Sequence, residues 1–230
     1  MKKKILILMV LLNFVGLAFA KPIDIKVITI DGKEYLNEID DEADYFCLFA
    51  SEENKQNRKI KSIQGLENLP NLTKLEFIHL DGTGDYSFLS ELKNLTYLYF
   101  SGVKVNSLSF IENMKGLEIV HLDIYTDSDC YERFKKEKIN CSKLKNLKEI
   151  YFCSKIKSNS FVSDRKLVPN FIKISTKPKL DLSNNDIYSF SKQDLELFSQ
   201  YSVLDIRYNP VVRNDDETEK IGGNVKVIKQ

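Results

Sequence analysis

Asn71-Leu72-Thr73-Lys74-Leu75-Glu76-Phe77 returns as Asn94-Leu95-Thr96-Tyr97-Leu98-Tyr99-Phe100. It returns again as Gly116-Leu117-Glu118-Ile119-Val120-His121-Leu122, and a fourth time as Asn146-Leu147-Lys148-Glu149-Ile150-Tyr151-Phe152. Two shorter copies follow, Lys179-Leu180-Asp181-Leu182 and Val203-Leu204-Asp205-Ile206. The two apolar residues that close each copy are separated by one residue. That is the period of a strand, so the apolar pair points to one face and the residue between them to the other. A unit this short cannot bury its own apolar pair. Stacking the units in parallel makes one continuous core.

The second apolar positions, 75, 98, 120, 150, 180 and 204, are spaced by 23, 22, 30, 30 and 24 residues. The other half of the unit repeats as well. Ile63-Gln64-Gly65-Leu66-Glu67-Asn68-Leu69 corresponds to Phe88-Leu89-Ser90-Glu91-Leu92 and to Phe110-Ile111-Glu112-Asn113-Met114. A single copy is weak evidence, but six in register are strong. From about residue 60 to 212 the sequence resembles the leucine-rich-repeat family, whose units run to roughly 20–29 residues. It is most similar to the 22-residue class that includes bacterial internalins.

The resemblance implies an α/β fold, a leucine-rich-repeat solenoid. Its curved parallel sheet would be concave, with short helical or irregular segments on the convex side. The clearest matches to the family core are Leu180-Asp181-Leu182-Ser183-Asn184-Asn185-Asp186-Ile187 and Leu204-Asp205-Ile206-Arg207-Tyr208-Asn209-Pro210-Val211. Asn185 and Asn209 fill the family's asparagine position, whose side chain bonds the backbone of neighbouring turns. Leu80, Val103, Tyr125 and Lys155 stand there in the other units. That departure predicts a less regular, less stable middle.

Outward from the repeats, residues 21–59 are expected to form an N-terminal cap, with Tyr45–Phe49 as its strand. Residues 213–230 are expected to form a C-terminal cap, with Val225–Ile228 as the last strand. Residues 1–20 carry Lys2-Lys3-Lys4, an apolar run from Ile5 to Phe19 and Ala18-Phe19-Ala20. That is the pattern of a secretory signal peptide. Without those lysines, 31 basic residues face 33 acidic ones. The predicted location is secreted or extracytoplasmic, in the periplasm or at the cell surface. No stable membrane span remains after cleavage. The net charge of +1 gives no basic field for nucleic acid.

The register assigns the concave face. Between the apolar positions stand Glu76, Tyr99, His121, Tyr151, Asp181 and Asp205. Two residues earlier stand Lys74, Tyr97, Ile119, Glu149, Lys179 and Val203, and two later Ile78, Ser101, Asp123, Cys153, Ser183 and Arg207. Exposed tyrosine on a rigid scaffold is enriched at binding hot spots. The expected function is recognition of a protein partner by Tyr97, Tyr99, His121, Asp123, Tyr151, Asp181, Asp205 and Arg207. A carbohydrate or envelope-polymer binder, and an accessory or inhibitor of an extracytoplasmic enzyme, stand as alternatives.

Cys130 and Cys141 lie in the first expanded unit, and a disulfide between them is expected in an oxidising compartment. A bond from either to Cys153, or four reduced thiols, are the alternatives. Cys47 and Cys153 sit about four strands apart, roughly 19 Å, too far to bond. The expansions place loops at about 124–142 and 154–176. No nucleophile motif, zinc motif or phosphate loop occurs in the chain. No catalytic residue, metal or cofactor is therefore expected. The acidic run Asp40-Asp41-Glu42-Ala43-Asp44 lacks the glycine and ligand spacing of a calcium loop.

Overall fold

The computed structural model describes residues 21–50, 59–127, 132–134, 136–157 and 169–230. The candidate signal segment, residues 1–20, lies outside them. Among the described residues the main element is an eight-stranded parallel sheet. Its strands are β3 (Tyr45–Phe49), β5 (Lys74–Ile78), β6 (Tyr97–Lys104), β7 (Ile119–Asp127), β9 (Glu149–Lys157), β11 (Lys179–Asp181), β12 (Val203–Asp205) and β13 (Lys226–Ile228). They stack in the order in which the chain runs. At the usual strand spacing the sheet is about 34 Å wide.

The paired register matches the repeat. Leu75 faces Leu98, Leu98 faces Val120, Val120 faces Ile150, Ile150 faces Leu180, and Leu180 faces Leu204. Both apolar residues of every copy, from Leu75 and Phe77 to Leu204 and Ile206, are no more than 1% exposed. Burying one such side chain stabilises by about 1.5–3 kcal/mol, and the gain is realised only against the next turn.

The convex side carries one-turn 3-10 segments at Leu66–Asn68, Ser87–Glu91, Ser109–Asn113, Cys141–Lys143 and Pro210–Arg213. A longer helix, Lys192–Phe198, takes that place in the fifth copy. It begins at a capping box in which Ser191 and Asp194 bond each other's backbone. A second small sheet lies among the expansions, where β10 (Phe171–Ile172) pairs in parallel with β8 (Ile139–Asn140).

At the N-terminal end β1 (Pro22–Thr29), β2 (Glu34–Asp40) and β4 (Ile60–Gln64) form an antiparallel sheet in the order β2-β1-β4. It buries Ile25, Val27, Ile39 and Ile63 against the first repeat. Gly65, at φ +96, allows the first convex turn to lie against β1. A Cβ there would stand 2.3 Å from the Asp24 carbonyl oxygen. At the other end a short helix, Asp215–Glu219, precedes β13.

The middle of the sheet departs from expectation. Asn185 and Asn209 build the anticipated ladder. The Asn209 amide donates to the carbonyls of Leu182, Ile206 and Arg207, and its oxygen accepts from the N–H groups of Asn185 and Ile187. Asn185 donates to the carbonyls of Phe152, Leu182 and Ser183 and accepts from the Ser154 N–H. In the units where Val103, Tyr125 and Lys155 stand in its place, the strands lengthen instead. β7 and β9 pair over nine residues, and β6 and β7 pair beyond a bulge at Gly102. The Lys104 N–H donates to the Leu80 carbonyl (2.9 Å) and the Val105 N–H to the Tyr125 carbonyl (3.0 Å). Leu80, Val103 and Ile124 then fill the space beneath the turn. Extended pairing supplies the bonds that the amides would have made, so the middle is the most extensively paired part of the sheet, with a register shift at Gly102.

The expansions also begin later than expected. β7 runs to Asp127 and β9 to Lys157, so the start of each expected loop is strand. Cys141, one half of the expected Cys130–Cys141 bond, is a buried thiol in the core. Cys130 itself lies outside the described residues. Burial pushes the Cys141 thiol up to about 12.

Two substitutions separate the two ways of closing a turn. Asn209→Ala leaves several buried backbone groups without partners and is expected to cost about 3 kcal/mol. Val103→Asn restores the family residue but buries an amide whose bonding partners are already taken. It is expected to destabilise by about 2 kcal/mol rather than stabilise. Urea unfolding followed by circular dichroism checks both. A stabilising Val103→Asn would refute the replacement of the ladder by strand pairing.

Candidate functional site

The outward residues of the middle strands form three in-register columns. Glu76, Tyr99, His121, Tyr151, Asp181 and Asp205 pair successively along one of them. Lys74, Tyr97, Ile119, Glu149, Lys179 and Val203 make the second. Ile78, Ser101, Asp123 and Cys153 make the third. The alternation forces this arrangement, because Leu98, Phe100, Val120, Leu122, Ile150 and Phe152 occupy the core side.

The aromatic rings in the centre are packed on one another. The Tyr99 and His121 centroids are 4.3 Å apart, and the His121 and Tyr151 centroids 4.0 Å apart with planes 12° from parallel. Tyr97 lies parallel to Tyr99, tilted by 4° at 6.4 Å. The four rings are half-buried, so their rims reach solvent while both faces of His121 are covered. Burial holds His121 below the usual imidazole range, against the opposing pull of Asp123, Asp181 and Glu149. Burial likewise raises the Tyr151 and Tyr97 hydroxyls, keeping them as neutral donors.

Charges around the ladder are engaged in pairs. The Tyr45 hydroxyl donates to Glu76 (2.9 Å). Lys179 bridges Glu149 and Asp181, both at 3.1 Å. Arg207 grips Asp205 with its Nε and its Nη2, the latter at 2.7 Å. Burial pushes the Asp205 carboxyl up, but the bonds from Arg207 outweigh it and hold the group below the usual carboxylate range.

Of the eight residues expected on the face, six keep some exposure and two are buried. Tyr97, Tyr99, His121 and Tyr151 form one cluster, with Asp123 in the next column and Arg207 partly exposed farther along. Asp181 and Asp205 stand in the expected column but are buried, Asp205 completely. Asp181 accepts from the Ser183 N–H and hydroxyl, and Asp205 lies beneath the Arg207 guanidinium. Their carboxylates are engaged in the turns after β11 and β12. Tyr125 was assigned to the asparagine position. It instead continues the outward side of β7 beyond Asp123, beside Lys104. The alternation Val120, Leu122, Ile124, Thr126 carried that signal.

No family model matches the chain, and no curated protein matches it. Among solved structures it is similar to an internalin from Listeria monocytogenes, at 19% identity and a TM-score of 0.38. That match covers 84% of this chain and 59% of the internalin, so the chain spans well under two thirds of that protein's length. The assignment rests on the strand order and register above. The fold is a leucine-rich-repeat solenoid. Among the described residues of this repeat protein no group of three His, Cys, Asp or Glu could hold a metal ion. No helix among them is long and apolar enough to cross a membrane.

The ladder has a measurable titration. His121 has a lowered proton affinity in the folded chain, whereas in the unfolded chain it titrates near the ordinary value of about 6.5. The unfolded state therefore binds more protons just below that pH. The contribution is fully present above about pH 6.5 and is lost as pH falls through the folded value. His121→Phe keeps a stacked ring and removes the proton. Its stability is expected to fall less than that of the wild type between about pH 6.5 and 5. Identical slopes in urea titrations at several pH values would contradict this assignment.

Proposed function

We propose that this repeat protein is an exported binding module that holds a protein partner on its concave sheet. The observation that carries the reading is the stacked ladder Tyr97–Tyr99–His121–Tyr151 on the longest strands of the parallel sheet. Such rings lose little conformational entropy when covered, because their neighbours already fix them. Their rims offer hydroxyl and imidazole groups beside apolar edges, the mixture that suits a polypeptide surface.

The packing also weighs against the glycan alternative. A sugar ring stacks on an open aromatic face, and here the central faces are occupied by neighbouring rings. Export is carried by the basic and apolar pattern of residues 1–20 with Ala18-Phe19-Ala20. It predicts a mature chain beginning at Lys21, checked by intact mass of the protein recovered from outside the cytoplasm. A retained Met1 would refute it.

The binding proposal is tested with the triple variant Tyr97→Ala/Tyr99→Ala/Tyr151→Ala. Wild type and variant are immobilised, exposed to solubilised surface proteins, and the recovered protein is purified and titrated against both. The expected result is at least a hundredfold loss of affinity in the variant, about 2.7 kcal/mol, with its far-ultraviolet dichroism unchanged. Equal binding by both would refute the concave face as the site.

A further inference from the structure

We draw no further inference here: the strongest candidate, the cavity of about 660 Å³ at the convex segments Ser87–Glu91 and Ser109–Asn113, carries nothing, because its cations Arg133 and Lys136 are matched in number by the carboxylates of Asp85 and Glu137 and nothing in the structure shows what fills it.

Discussion

Each turn of this chain holds an apolar pair that it cannot cover alone, and the rest of the structure follows from that dependence. Leu98 and Phe100 are buried only because Leu75 and Phe77 lie on one side and Val120 and Leu122 on the other. A slip of one residue would turn those pairs to solvent and bring Tyr99 and His121 into the core. The register is thus fixed by burial. Fixed register in turn sets which side chains share a column on the open face. The open face is what is left over at each step once the core has been filled.

The same dependence explains the two kinds of turn. A strand that stops early, like β11 or β12, leaves backbone groups that need partners, and Asn185 and Asn209 supply them. A strand that continues needs no such amide, because its neighbour supplies the bonds and Val103 or Ile124 can fill the core. The long strands β6, β7 and β9 all belong to units that lack the asparagine. They also lie beneath the aromatic ladder. A platform paired over nine residues restrains backbone motion, so the rings above it are preorganised before any partner arrives.

What could be read from the sequence was whatever the period controls. Strand order, the buried pairs and the outward columns all follow from recurrence at 22 to 30 residues, and all agree with the structure. Properties set by one local side chain were not legible in this way. Nothing in the period says that Arg207 folds over Asp205 or that Ser183 caps Asp181. The missing asparagine was read as weakness because the pattern gives no view of how far a strand continues. Tyr208 was recorded as part of a repeat match, while its left-handed backbone is set by the local turn and not by the period. The hairpin of β1 and β2 has no counterpart in the period either. Its alternating Ile23, Ile25 and Val27 would have revealed a strand, but not that β4 would pair with it.

The charge pattern of the open face carries the argument from surface to partner. In isolation, Glu76, Asp123, Glu149, Asp181 and Asp205 would suggest an acidic site for a basic ligand. Geometry removes much of that field. Lys179 lies between two of them, Arg207 covers a third, and Tyr45 donates to a fourth. Burial also keeps His121 neutral, so no cation stands at the centre of the ladder near neutral pH. A surface neutralised in this way gives little electrostatic steering, and its selectivity has to come from shape and from directional hydrogen bonds. Rings fixed edge-outward by their neighbours provide both, because each rim presents an apolar edge and a donor at a set spacing of one strand. On that ground the partner proposed for the ladder is a protein surface of matching contour and not a charged polymer.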